Sequence, residues 1–352
     1  MKVYLYMGLY KLVRMSGIGK AVCHQMEALK ETGVPYTTNR GDEYDIIHLN
    51  TIFPDSYLMA KWAKKRGKKV IYYGHSTMED FRNSFRGSNL FAPLFKFWIK
   101  KCYSSADVVI TPTDYSRRLL EGYGIERPIY SLSNGIDLRQ YRCDEGRRKC
   151  FREKYGIGHG AKVVLSVGHY IERKGIMDFI ELSKQFPEYQ FYWFGYTQRE
   201  LVEKNIQKAI DAAGSNLHFP GYVEQDEMLD AYAGSDLFLF MTHEETEGIV
   251  MLEAMAMQIP ILVRDIPIYE TWLPDREVVY KAGCFEEFVQ RVPEILEGQV
   301  PNLTDAAYRV VSHNDLPVIG RRLQEIYEEN FAGEVQPAYI RQSSDVSEGS
   351  MA

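Results

Sequence analysis

Between Thr242 and Ala256 the chain reads THEETEGIVMLEAMA, with carboxylates at Glu244, Glu245, Glu247 and Glu253. Glu253 is flanked by Met251, Leu252, Ala254 and Met255, so it sits on a helix that is otherwise apolar. A carboxylate buried there must find partners or lose its charge. Upstream, Gly168-His169-Tyr170-Ile171-Glu172-Arg173-Lys174-Gly175 follows an apolar run and precedes a helical one. Two cations beside the free N–H groups of a helix start suit a diphosphate; a solvated basic loop is the alternative. Met15-Ser-Gly-Ile-Gly-Lys20 repeats the arrangement near the start of the chain. Gly17 and Gly19 would let backbone approach a phosphate at a helix start, although a plain tight turn reads the same way. The segment is neither a complete GxGxxG nor a P-loop. His75, in YYGHSTMED, ends a strand-like run and could enter a cleft, cap a helix or be buried and hydrogen-bonded.

These residues need a scaffold that brings strand ends together. The spacing predicts strands at 3–6, 46–50, 69–73, 108–111 and 129–131, with helices at 18–32, 56–66, 92–104 and 116–123 between them. The pattern restarts with strands at 162–167, 191–194, 217–219, 237–240, 261–263 and 278–280, and helices at 176–185, 202–214, 227–233 and 249–257. Strands separated by helix-length segments read as βαβ units in a parallel sheet. Two such units in one chain leave a cleft where carboxyl ends of strands face each other, the usual ligand site of open sheets. The expected domains are 1–135 and 155–315. A helix at 316–333 crosses back to the first domain, and 334–352 form a loose tail.

At 352 residues the chain is long enough for two domains, and a net charge of -6 carries no nucleic-acid signature. The charge is uneven: 20 basic and 12 acidic residues through position 135, against 22 and 36 beyond it. A basic first half suits an anionic surface, and equally an unevenly charged solvated one. Five scattered cysteines without a CxxC pair fit a reducing compartment. With neither a signal peptide nor an apolar spanning run in view, a peripheral membrane role stays open, because surface attachment needs no spanning segment.

Taken in chain order, the SGIG loop, His75, the GHYIERKG loop and E-x-x-G with a second Glu eight residues after the first resemble glycosyltransferase family 4. Asn134-Gly135-Ile136-Asp137 matches its NG-hydrophobic-D seam. The resemblance runs to about residue 330 and implies the GT-B fold: α/β, two Rossmann-like domains facing across a cleft, with 1–135 on the acceptor and membrane side and 155–315 on the nucleotide-sugar donor side. It implies a retaining hexosyltransferase using a UDP-sugar, without a cofactor or an essential metal. The Asp-x-Asp cluster of metal-dependent relatives of another fold is missing from the sequence. By resemblance, Glu253 takes the ribose hydroxyls and Glu245 the donor sugar. Arg173 and Lys174 grip the diphosphate, and Gly17 and Gly19 approach it. Gly248 and Ile249 complete the nucleotide-sugar site, and His75 lies near the reacting centre. His169 stands where many relatives have arginine. Glu247 stands where they have an aromatic or aliphatic residue, which leaves the choice between Glu245 and Glu247 open.

The opening of the chain and HSTMEDFRNSFRGSNLFAPLFK further resemble Gram-positive bacterial diglycosyl-diacylglycerol synthases. That resemblance implies UDP-glucose or UDP-galactose as donor, monoglucosyl-diacylglycerol as acceptor, and a cytoplasmic enzyme attached peripherally to the inner face of the cell membrane. In the run 81–101, Arg82, Arg86, Lys96, Lys100 and Lys101 alternate with Phe95, Trp98 and other apolar residues. From Pro93 it forms a helix that either meets an anionic membrane and the glycolipid acceptor or packs as core. Other readings are transfer to diacylglycerol or to a soluble saccharide, a non-catalytic sugar-nucleotide binder, and an epimerase.

Overall fold

The computed structural model describes residues 1–331 except Met15, Arg86 and Cys143; the expected tail at 334–352 lies outside the described residues. The first sheet comprises β1 (Val3–Leu5), β2 (Tyr36–Thr37), β3 (Ile46–Leu49), β4 (Lys69–Tyr73), β5 (Val108–Thr111) and β6 (Ile129–Ser131). It is parallel throughout, in the order β2-β1-β3-β4-β5-β6. The second comprises β7 (Val163–Val167), β8 (Gln190–Phe194), β9 (Leu217–Gly221), β10 (Leu237–Phe240), β11 (Ile261–Arg264) and β12 (Tyr280–Ala282). It is also parallel, in the order β12-β11-β10-β7-β8-β9.

Parallel strands covered by helices on both faces read as apolar runs, and those faces divide cleanly here. In β4, Val70 and Tyr72 join one core with Ile99 and Tyr103, while Ile71 and Tyr73 join the opposite core with Ala28 and Leu29. The helix Leu316–Phe331 completes that second core with Leu323, Ile326 and Tyr327, so the end of the described chain packs on the first domain. Its approach is close: a Cβ on Gly320 would lie 2.5 Å from the Ala28 carbonyl oxygen. The two crossings between domains run side by side. Ile136 N–H donates to Asn314 O at 2.9 Å, and Leu316 N–H donates back to Ile136 O at 3.0 Å.

Several elements differ from the sequence expectation, the helices Met78–Phe81, Phe285–Leu296 and Thr304–Ser312 among them. β2 is only two residues long, too short to carry a periodic signal. The last strand runs from Tyr280 to Ala282 rather than over 278–280, and pairs Leu262 with Tyr280. Residues 145–154 form a helix where the sequence reading places no element. Asp144 caps that helix by accepting from Arg147 N–H at 2.8 Å, and Phe151 is its one buried side chain. Arg148 and Arg152 both clamp Asp236, at 2.7 and 2.8 Å. A helix held by ion pairs and a single aromatic lacks the apolar stripe that would announce it.

Sheet order sets where a ligand goes. The chain reverses direction of growth between β1 and β3 in the first sheet, and between β7 and β10 in the second. Crevices at such switch points, beyond the carboxyl ends of the strands, are the natural binding places. The loop 6–16 leaves β1 and Asn50 follows β3, while 168–175 and 241–248 leave β7 and β10.

Candidate active site

The loop after β7 is held rigidly. Gly168 N–H extends the ladder to Phe194 O at 2.9 Å, and Trp193 Nε1–H donates to Gly168 O at 2.9 Å. A short 3-10 turn, Glu172–Lys174, brings Arg173 and Lys174 into the crevice. Gly175 ends the turn at φ 77, and a Cβ there would lie 2.2 Å from Met241 O, so the two loops meet only because this residue is glycine. His243 N–H donates to Arg173 O at 2.8 Å and ties the loops together. Lys174 Nζ pairs with Glu245 Oε1, which also accepts from Thr242 Oγ1 at 3.3 Å. Gly248, in the left-handed conformation, starts the helix Ile249–Ala256, and Ile249 is buried.

Glu253 lies on that helix and is buried. Tyr232 donates to its Oε2 at 2.7 Å and Tyr141 to its Oε1 at 3.1 Å. Lys20, from the first domain, pairs with the same Oε1 and also donates to Gln225 Oε1 at 3.0 Å and Tyr141 Oη at 3.1 Å. The carboxylate on the apolar helix therefore has protein partners of its own. Burial alone would lower the Lys20 pKa, but Glu253 and Tyr141 outweigh it and hold the ammonium charged. Lys20 stands in the quoted glycine motif, yet its role is invisible there because the partner is 233 residues away.

The first domain supplies the facing wall. Gly19 lies where a Cβ would be 2.2 Å from Arg14 O, which packs the loop after β1 onto the helix Gly17–Glu31; Gly17, at its start, faces open space. Gly74 N–H continues the ladder to Ile110 O at 2.6 Å and so holds the loop carrying His75. His75 is buried, stacks on Tyr73 and shares a hydrogen bond of 2.9 Å between Nε2 and Asn50 Oδ1. Asn50 in turn pairs with Gln25 through two amide bonds of 2.7 and 3.0 Å. Burial lowers the His75 pKa to about 4, so it is neutral at neutral pH. Asn50 and Gln25 escaped the sequence reading; the only signal was a polar residue directly after a strand.

Arg173 bridges the domains. Its guanidinium pairs with Asp80 at 2.8 Å, and donates to Ser84 Oγ at 2.9 Å and to Glu244 O at 2.7 Å. Three cations, Lys20, Arg173 and Lys174, thus each face a carboxylate across or beside the cleft. His169 is exposed, with a 2.8 Å bond between Nδ1 and Tyr196 O. Among the described residues no group of three or more His, Cys, Asp or Glu is arranged to hold a metal.

Glu245 and Glu247 separate by geometry. Glu245 adjoins Lys174, whereas Glu247 points to the domain seam, accepting from Asn134 N–H at 3.1 Å and Asn134 Nδ2 at 2.7 Å. Burial pushes the Glu247 pKa up to about 7. The folded protein then binds more protons than the unfolded chain between about pH 4.5 and 7, so this group's stabilisation is lost as pH rises through that window. Glu247→Gln keeps the acceptor without the charge. It should be more stable than the wild type at pH 8, by up to ~3 kcal/mol, and little different at pH 4.5 in chemical denaturation. Glu244, also raised to about 7 by burial, keeps part of the slope in both proteins.

The run 81–101 needs correction. Its helix is Ser88–Tyr103, with Pro93 inside it rather than at its start. Phe95 stacks on Phe81 at 4.0 Å, and Trp98 Nε1–H donates to Ile52 O at 2.7 Å; both turn toward the core, not toward solvent. The outward stripe is Leu90, Phe91, Leu94 and Phe97, with Leu90 80% and Phe97 64% exposed. Arg82, Lys100 and Lys101 are exposed and Lys96 lies 4.4 Å above the Tyr123 ring; Arg86 lies outside the described residues.

Two parallel six-stranded Rossmann-like domains, with cations and carboxylates gathered between their switch points, define a GT-B protein. Residues 35–140 match the family described as Glycosyltransferase Family 4, and residues 147–309 the one described as Glycosyl transferases group 1. The chain is 38% identical over 330 residues to the processive diacylglycerol alpha-glucosyltransferase of Acholeplasma laidlawii, covering 94% of this chain and 98% of the relative. It is 27% identical over 270 residues to the alpha-galactosylglucosyldiacylglycerol synthase of Streptococcus pneumoniae, 75% of this chain and 70% of that one. The crystal structure of Anabaena HepE in complex with UDP-glucose superposes with a TM-score of 0.74 at 16% identity, covering 94% of this chain and all of that one. The chain belongs to glycosyltransferase family 4, and it is a glycosyltransferase of the GT-B fold.

Proposed function

We propose that this enzyme moves a hexose from UDP-glucose or UDP-galactose to monoglucosyl-diacylglycerol, forming diglycosyl-diacylglycerol with retention of configuration. One juxtaposition carries the reading. The loops bearing Arg173, Lys174 and Glu245 lie against residues 80–84, through Asp80 and Ser84, and these lead into the helix Ser88–Tyr103 with its outward apolar stripe. A donor site beside a surface-seeking helix suits a water-soluble donor and a lipid acceptor. The names of both relatives, a diacylglycerol glucosyltransferase and a glycolipid synthase, support the same class of acceptor.

In this reading Glu253 receives the ribose hydroxyls, and Lys174 and Arg173 face the diphosphate. The acceptor oxygen bonds to the anomeric carbon as the bond to the phosphate oxygen breaks. The acceptor proton passes to that leaving oxygen, so no side chain is needed as covalent nucleophile. Cations meet charge that grows as the diphosphate departs, and therefore favour the transition state over the ground state. Because these side chains carry that charge, we propose that no metal is required. UDP-α-hexose donors and products named alpha in the relatives are consistent with retention.

A donor-by-acceptor screen tests this directly, with labelled UDP-glucose and UDP-galactose against diacylglycerol, monoglucosyl-diacylglycerol and soluble sugars. Lipid product from monoglucosyl-diacylglycerol is the expected result, and product only from soluble sugars would sink it. The printed name of the Acholeplasma relative favours a second reading, in which diacylglycerol itself is a first acceptor. Product from both lipids would support that reading.

No described helix is long and apolar enough to cross a membrane. The proposed contact is peripheral, at the inner face of the cell membrane, and is made by the outward apolar stripe. Leu94→Asp/Phe97→Asp should reduce flotation with anionic vesicles by about tenfold, since each change replaces an exposed apolar group that would enter the lipid with a negative charge at an anionic surface. Unchanged flotation would remove this helix from the membrane contact.

A further inference from the structure

We propose that Lys20 is a hand-over residue between the domains: its ammonium holds Glu253 before the nucleotide arrives, then moves to the diphosphate once ribose hydroxyls take that carboxylate. The inference rests on the nucleotide reading above and concerns one residue of it. Glu253 already accepts three hydrogen bonds, from Lys20 and Tyr141 at Oε1 and from Tyr232 at Oε2. A carboxylate has about four lone-pair sites, so two ribose hydroxyls exceed what is left. Tyr232 is fully buried in the second domain and cannot swing away. Lys20 is the donor that comes from the opposite domain, on a flexible stem, and it is the one able to yield.

The ammonium cannot then stand alone. Its remaining partners, Tyr141 Oη and Gln225 Oε1, are neutral oxygens, and a half-buried ammonium is better placed beside a counter-charge than without one. The other two cations are committed differently. Arg173 faces Asp80 and Lys174 faces Glu245, and neither carboxylate is the one ribose would claim. Lys20 closes the first turn of the helix Gly17–Glu31, its own N–H donating to Ser16 O at 3.2 Å, and the N–H groups of the residues before it lack i−4 acceptors within the helix. Gly17, at the helix start, leaves open space in front of it. A diphosphate there would meet both the N–H groups and the released ammonium.

Calorimetric titration of uridine and of UDP into the wild type, Lys20→Met and Lys20→Arg tests the proposal. The preference for UDP over uridine should fall about tenfold in Lys20→Met, the loss of one charge-assisted contact. Uridine itself should bind as tightly as to the wild type or more tightly, because its competitor for Glu253 is gone. Lys20→Arg keeps charge and reach and should retain most of the preference; it serves if the methionine variant does not fold. An unchanged UDP preference in a folded Lys20→Met protein would overturn the hand-over while leaving the nucleotide reading intact. Equal weakening of both ligands would also overturn it and make Lys20 a clamp alone. A wild type that binds neither ligand would overturn the nucleotide reading and this inference together.

Discussion

Lys174→Ala is expected to lower kcat by about 10²–10³-fold, the usual loss when one preorganised donor to a developing oxyanion is removed. The donor KM should change far less. Lys174 sits at the end of a turn that Gly175 and the Gly168 ladder bond hold in place, so its ammonium does not have to be reorganised during transfer. Charge grows on the leaving diphosphate, and a cation poised there helps most when that charge is greatest. One complication is built into the site: removing Lys174 leaves Glu245 buried without its counter-charge. Lys174→Ala/Glu245→Gln, compared with Glu245→Gln alone, separates the two effects. If misplaced Glu245 were the cause, the double variant would recover activity. If the missing cation were the cause, it would not. Single-turnover rates equal to those of the wild type in Lys174→Ala would remove the residue from the chemistry.

Glu253→Ala carries the second large effect. Two hydrogen bonds from ribose hydroxyls to a charged acceptor contribute about 3 kcal/mol or more together, so the UDP Kd should rise roughly 10²-fold. The fold-loss should be similar for uridine and for UDP, because the ribose contacts removed are common to both ligands. The variant also strips partners from Lys20, Tyr141 and Tyr232, and thermal unfolding must be followed beside binding. Glu253→Gln keeps the shape and one acceptor oxygen and should fall between the two. A UDP Kd unchanged in Glu253→Ala would mean that ribose is held elsewhere.

Much of this architecture was legible because its signals are local. Parallel strands buried on both faces are continuous apolar runs, and helices fall between them at regular spacing, so the βαβ alternation of both halves can be read from the chain. The GHYIERKG and EETEG motifs sit at strand ends for the same reason, and those ends are the switch points of their sheets. Glu253 could be recognised as misplaced on an apolar helix because its immediate neighbours are all buried.

What remained hidden depends on which way a side chain turns and on what comes near from far along the chain. Glu245 and Glu247 are two residues apart and chemically identical, yet one meets Lys174 and the other Asn134 at the domain seam. Trp98 and Phe97 are adjacent, yet one bonds to Ile52 and the other faces solvent. A helix turns each successive residue by a fixed angle, but only packing decides which angle points inward. The pairing of Lys20 with Glu253 and of Arg173 with Asp80 joins residues from separate domains. By itself, then, the sequence determined the two α/β units and the residue types at their strand ends, since strand length, burial and spacing are short-range properties. Only the tertiary structure decided which cation faces which carboxylate, because that depends on how two independently folded sheets are set against each other.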